Sequence, residues 1–202
     1  MLKRICVFGD SITWGGGDVK NGGWVQQLRH YFESNDYDLA IYNQGVSGDN
    51  SSNLLTRFEV ECKARGPQII IFAIGINDSQ YIKTKDNPRV SIEKFQDNLK
   101  ELIKQAKNFT SNIIFIGLTK VEEEKVMPIP WSDEDKFYDN DNITKYNNII
   151  EKISKENNLP FIDLMDLLNP SELEDGLHPN SDGHTKIFQT VKDFLLTSIK
   201  II

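Results

Sequence analysis

Gln68 to Ile74 reads QIIIFAI, and Gly75-Ile76-Asn77-Asp78 follow directly. A short uncharged run rich in β-branched residues predicts a strand buried on both faces, the signature of a parallel sheet. The same rhythm recurs on either side. Upstream, Leu2 to Phe8 predicts a strand and Trp24 to Glu33 a helix with Trp24, Leu28, Tyr31 and Phe32 on one side. Leu39 to Asn43 predicts a second strand, and Ser52 to Arg65 a helix with Leu54, Leu55, Phe58 and Cys62 at three-to-four spacing. Downstream, Asn87-Pro88 predicts the cap and first turn of a helix carrying Ile92, Phe95, Leu99, Leu102, Ile103 and Ala106. Asn112 to Thr119 predicts a fourth strand, Asn142 to Asn157 a helix, Leu159 to Leu164 a fifth strand, and Ser181 opens the last helix.

Strand and helix thus alternate five times, without an internal repeat or a low-complexity linker. That alternation predicts an α/β fold, a parallel sheet with helices on both faces. Right-handed crossovers leave the flavodoxin-like order 2-1-3-4-5 as the natural topology for a five-stranded sheet, in a single domain over residues 1–202.

Composition narrows the function classes. The 202 residues are 39% hydrophobic and 26% charged, which excludes a disordered or disulfide-scaffold chain. The net charge of −7, with no local Lys/Arg cluster, predicts neither a nucleic-acid partner nor a membrane one. Cys6 and Cys62 are too few and too far apart for a disulfide framework. No apolar leader precedes Gly9, and Ile69 to Ile74 is far too short to span a bilayer. The expected location is the cytoplasm.

In a parallel sheet of this kind, ligands bind beyond the carboxyl ends of the strands. The residues there are Gly9-Asp10-Ser11, then Asn43-Gln44-Gly45-Val46-Ser47-Gly48-Asp49, then Gly75-Ile76-Asn77-Asp78, and after the fifth strand Asp175-Gly176-Leu177-His178. Four distant loops bring a serine, a glycine, an asparagine and an Asp/His pair to one rim. Ester cleavage by a nucleophile needs a hydroxyl, a base, a group that orients the base, and donors for the oxyanion. Ser11 suits the first, His178 the second and Asp175 the third; the N–H groups of Ser11 and Gly45 with the Asn77 amide suit the last. The G-x-S-x-G elbow of α/β-hydrolases is absent.

These blocks resemble the SGNH hydrolases, or GDSL esterases and lipases: Ser11 in GDS, Gly45 in the second block, Asn77 in GxND, and Asp175 with His178 in DxxH, in family order over residues 5 to about 180. The resemblance implies a three-layer α/β/α fold and a serine esterase with a Ser11-His178-Asp175 triad, needing no metal and no cofactor. Its substrate would be a small-molecule carboxylic ester, with short acyl or acetyl groups favoured. A carbohydrate O-acetylesterase and a lysophospholipase or thioesterase would share all of these residues. Outside that class stand a metal-dependent hydrolase, for which Asp175, His178, Asp182 and His184 offer side chains but no common ligand spacing, and a catalytically silent binding module.

Lys120 to Asn142 holds eight acids against three lysines, a local charge of −5, together with Trp131, Phe137 and Tyr138. It reads either as a solvated loop or as a substrate-facing flap. As a flap, its aromatics would suit an acyl chain or a sugar face and its acids would disfavour anionic substrates. Trp14 and Tyr81 are further candidates for the substrate wall.

Overall fold

The computed structural model describes residues 3–198. In chain order the elements are β1 Lys3–Gly9, α1 Ser11–Trp14, α2 Gly23–Ser34, β2 Leu39–Gly45, α3 Ser51–Arg65, β3 Ile69–Ala73 and β4 Tyr81–Ile82. There follow α4 Ile92–Ala106, β5 Ile113–Ile116, α5 Glu123–Val126, β6 Lys136–Phe137, α6 Asn140–Glu156, β7 Phe161–Ile162, a single 3₁₀ turn at Pro170–Glu172, and α7 Ser181–Ser198. Leu2, expected to open the first strand, lies outside the described residues.

Five strands form one parallel sheet in the order β2-β1-β3-β5-β7, the predicted 2-1-3-4-5. QIIIFAI is central: Ile69, Ile70, Ile71 and Phe72 are buried, with β1 on one side and β5 on the other. Alternate side chains enter two cores. Cys6, Phe8, Ile70 and Phe72 pack under α3, α4 and α6, whereas Ile5, Val7, Ile69 and Ile71 pack under α2 and α7. This is the three-layer arrangement, and burying each large aliphatic or aromatic side chain stabilises it by roughly 1.5–3 kcal/mol.

One helix start differs from expectation. The N-cap of α4 is Ser91, whose hydroxyl accepts from the Lys94 N–H, and not Asn87-Pro88. Residues 81–90 instead form an arm in which Tyr81 bridges Pro88 and Arg89 N–H donates to the Gln80 carbonyl at 2.7 Å. The arm is held by a second, two-stranded sheet, with β4 antiparallel to β6. Tyr81 and Phe137 stack there at 5.2 Å and 6°. The acidic segment is therefore no free loop: Val121, Val126, Ile129 and Tyr138 are buried against the larger core. Among the described residues no helix is long and apolar enough to cross a membrane.

Candidate active site

Ser11 owes its place to the turn that ends β1. A Cβ at Gly9 would collide with Thr13 Oγ1 and the Ala73 carbonyl, so only glycine lets the chain bend there so tightly. Asp10 caps α1 by accepting from Ile12 N–H at 3.0 Å, leaving Ser11 as the first helical residue. Its N–H therefore has no acceptor within the helix.

The loop after the fifth parallel strand brings the imidazole to that hydroxyl. Ser11 Oγ lies 2.8 Å from His178 Nε2, and His178 Nδ1 lies 2.7 Å from Asp175 Oδ2. The other carboxylate oxygen accepts from His178 N–H at 2.8 Å and Leu177 N–H at 3.0 Å. Burial pushes the Asp175 carboxyl up, but these hydrogen bonds more than offset it and bring it down to about 2. An ionised carboxylate only accepts, so Nδ1 carries the ring hydrogen and Nε2 accepts from the serine hydroxyl.

Two glycine-lined walls keep this ring in place. A Cβ at Gly16 would press on His178 Cδ2, and one at Gly17 would meet the Pro179 carbonyl. Gly16 is itself tethered by His184, which donates from Nε2 to its carbonyl at 2.8 Å and accepts at Nδ1 from Trp24 N–H at 3.2 Å. His184 is fully buried, and burial holds its pKa below the ordinary value. With both ring nitrogens engaged, it is a bracket for the loop that packs on His178. Among the described residues, no three His, Cys, Asp or Glu side chains are grouped to hold a metal ion.

Asn77 sits at the foot of the same cavity. Its Nδ2 donates to the Asp49 carbonyl at 2.9 Å and its Oδ1 accepts from the Tyr138 hydroxyl at 2.6 Å. That pairing fixes which way the amide points and leaves one Nδ2 hydrogen for another acceptor. Asp78, the next residue, accepts from Ser51 N–H at 2.9 Å and from the Ser51 hydroxyl, which also receives a 2.8 Å bond from Asn98. This Ser51–Asp78–Asn98 cluster is wholly buried and includes no imidazole, and it pins the Asn77 loop to the start of α3.

Gly45 does not meet its expected role. Its N–H donates to Asn43 Oδ1 at 2.9 Å, and it does not line the cavity. What requires glycine there is packing: a Cβ would collide with the Trp14 amide nitrogen. Gly48, three residues on, does line the cavity. It takes φ +81 in a turn closed by Asp49 N–H to the Val46 carbonyl at 3.1 Å, and its own N–H bonds to no described group. The Ser47-Gly48-Asp49 string, with glycine where a turn needs positive φ, carried that signal in the sequence.

The cavity has a volume of about 290 Å³ and opens onto Ser11, Asn77 and His178. Of the proposed wall residues, Trp131 and Tyr138 line it. Trp131 is 49% exposed, with its ring 6.2 Å from that of His178. Tyr138 is buried and spends its hydroxyl on Asn77. Trp14, Tyr81 and Phe137 do not line the cavity; Trp14 faces solvent and the other two stack on each other. Gln80, Arg89 and Lys136 line it and were not foreseen. Among the described residues no carboxylate lines it, although Glu134 of the acidic segment pairs with Lys136 at 3.0 Å.

The sequence model of the GDSL-like Lipase/Acylhydrolase family matches residues 7–186. An acetylxylan esterase from Geobacillus stearothermophilus is 24% identical over 204 residues, covering 90% of this chain and 89% of that protein. Esterase TesA from Pseudomonas aeruginosa is 25% identical over 116 residues, 57% of this chain and 54% of its own. Among solved structures, a lipase/acylhydrolase from Enterococcus faecalis superposes with a TM-score of 0.78 at 21% identity, covering 96% of this chain and 95% of that one. A catalytic mutant of the Geobacillus stearothermophilus acetylxylan esterase superposes at 0.74 with 21% identity, covering 96% and 93%. A family match over nearly the whole chain, on the fold that those structures share, makes this protein a member of the GDSL-like lipase/acylhydrolase family and a serine hydrolase of ester bonds.

Proposed function

We propose that this chain is one hydrolase domain over residues 1–202 that removes acetyl groups from the hydroxyls of a carbohydrate. Ser11 Oγ attacks the acetyl carbonyl carbon while its proton passes to His178 Nε2. Asp175 holds the ring tautomer and stabilises the imidazolium that forms. The oxyanion takes hydrogen bonds from Ser11 N–H, Gly48 N–H and the spare Asn77 Nδ2 hydrogen, with Gly48 in the place first expected of Gly45. Collapse breaks the bond to the sugar oxygen, which leaves with the proton from His178. Water, deprotonated by the same ring, then attacks acetyl-Ser11 and releases acetate.

The observation that carries this reading is the unbroken chain from Ser11 Oγ through His178 to Asp175, at 2.8 and 2.7 Å. The carbohydrate half rests on the full-length likeness to an acetylxylan esterase and on Trp131. His178 delivers the proton to the leaving alcohol, so an exposed indole beside it flanks the alcohol side, where an aromatic face suits a sugar ring. Both cysteines are buried free thiols, which supports a reducing compartment such as the cytoplasm.

An acyl-length series on one alcohol, from acetyl to palmitoyl, tests the acyl half. The expected outcome is a kcat/KM highest for acetyl and falling beyond butyryl. A maximum at octanoyl or longer would replace this reading with a lipid acylhydrolase.

A further inference from the structure

The net charge of this protein is −7, yet among the described residues the cavity around Ser11 is lined by two cations, Arg89 and Lys136, and by no carboxylate. Lys136 is partly neutralised by Glu134 at 3.0 Å. Arg89 pairs with no acid among the described residues. It donates from Nη2 to the Gly48 carbonyl at 2.7 Å, and its remaining N–H groups make no side-chain hydrogen bond among the described residues. A half-buried guanidinium in direct contact with no described carboxylate, feeling the buried Asp78 only at longer range, on the wall of a reaction cavity, is disposed to take a planar anion.

Gln80 supplies a second sign. Its backbone carbonyl receives the Arg89 N–H, so the arm of residues 81–90 brings the two side chains to one wall. Gln80 is 2% exposed, and its Oε1 accepts no hydrogen bond among the described residues. A buried amide oxygen without a donor is costly, and rotation of the terminal amide towards the cavity would let a substrate hydroxyl satisfy it. Trp131 adds an aromatic face beside His178. Guanidinium for a carboxylate, amide for a hydroxyl and indole for a ring together describe an acidic sugar.

We infer that Arg89, with Gln80, Lys136 and Trp131, forms a subsite for the carboxylate of an O-acetylated uronic acid in the alcohol half of the ester. The inference rests on the carbohydrate esterase reading above and narrows it. Arg89 is a specificity residue here. The chemistry at Ser11 is unchanged, and the carboxylate takes no part in bond making.

The test compares a monoacetylated methyl glucuronoside with the matching methyl glucoside, using the intact protein at low salt. The expected kcat/KM favours the glucuronoside by about tenfold, the scale of one charge-assisted contact. That preference is expected to shrink in high salt, to vanish in Arg89→Gln, and to fall partway in Lys136→Met. If Arg89 served only to hold the Gly48 carbonyl, Arg89→Gln would slow both sugars alike and leave their ratio unchanged, which overturns the subsite. Equal hydrolysis of both sugars by the wild type also overturns it, and leaves the carbohydrate esterase reading standing. Failure on both sugars, with p-nitrophenyl acetate still hydrolysed, overturns the two together.

Discussion

Tyr138 donates its hydroxyl hydrogen to Asn77 Oδ1 across 2.6 Å, so a residue from the acidic segment sets the direction of an amide in the loop after the central strand. Both residues are almost fully buried. Burial also holds the Tyr138 phenol well above its ordinary pKa, so it remains a neutral donor at any working pH. Asn77 in turn is tied to Asp49, whose carboxylate meets Arg57 Nε at 2.7 Å. The amide is thus held from two sides before substrate arrives, which is what electrostatic stabilisation of a transition state demands.

Tyr138→Phe removes that anchor and leaves Asn77 Oδ1 buried without a donor. A loss of roughly 1–3 kcal/mol is expected for such a group. Because the amide acts on the oxyanion, the loss should fall on kcat, by about tenfold or more, with KM for p-nitrophenyl acetate little changed. Asn77→Ala should cost about 10²–10³ in kcat. A Tyr138→Phe enzyme with wild-type kcat would show that the amide needs no such support.

Gly48 and Gly45 separate by substitution. Gly48→Ala adds a Cβ with nothing within 4 Å, so the only cost is backbone strain at φ +81. The fold should survive with a stability loss of about 1–2 kcal/mol, and activity should drop as the turn shifts its N–H. Gly45→Ala drives a Cβ into the Trp14 backbone, and the expected outcome there is a large fall in Tm or failure to fold. Thermal melts beside initial rates distinguish the two, and a stable, inactive Gly45→Ala would reverse their assignment.

Asp175 should act through the imidazole. With its carboxyl at about 2 in the folded state against 3.8 as the ordinary value, it is a depressed acid. Its stabilising contribution is complete above the unfolded value and is lost as pH falls from about 4 towards 2. Asp175→Asn should flatten that limb of the stability curve. It should also lower kcat by about 10⁴ through the wrong ring tautomer, the magnitude known for the analogous change in the serine-protease triad.

Asp10 predicts the opposite slope. Burial pushes its carboxyl up to about 7 from 3.8. Between those values the folded chain holds a proton that the unfolded chain has released, so stability falls as pH rises from about 4 to 7. Asn is an equally good cap for α1 and carries no charge to bury. Asp10→Asn should therefore reduce this fall, leaving the part due to Asp78, whose carboxyl burial also raises, to about 6; denaturant midpoints of the two proteins at pH 5 and pH 8 would measure the difference.

The strand ends were the legible part. Ser11 opens the short helix after β1, and Asn77 and His178 stand in loops on the same rim of the sheet, where the topology dictates convergence; Asp175 is local to His178. The central run at 69–74 was legible because it is short and rich in β-branched isoleucine, which favours a strand buried on both faces over a helix. What failed depended on contacts between distant residues. Gly45 and Gly48 lie three residues apart, and the contacts that separate them are distant: Gly45 ends β2 packed on the Trp14 backbone with its N–H on Asn43, whereas Gly48 lines the cavity. Tyr81 and Phe137 looked like a substrate wall because periodicity cannot see two-residue strands that pair across 56 positions. Pro88 resembled a helix start, but Ser91, three residues on, caps α4, and Pro88 instead bridges Tyr81 in the arm that carries Arg89.

The most direct test of the central claim is covalent labelling by a fluorophosphonate, read by peptide mass and set beside the rate on p-nitrophenyl acetate. A single adduct on Ser11 is expected, with loss of activity in proportion to labelling and with neither label nor turnover in Ser11→Ala. Labelling at another serine such as Ser51, or near-wild-type turnover in Ser11→Ala, would contradict the account.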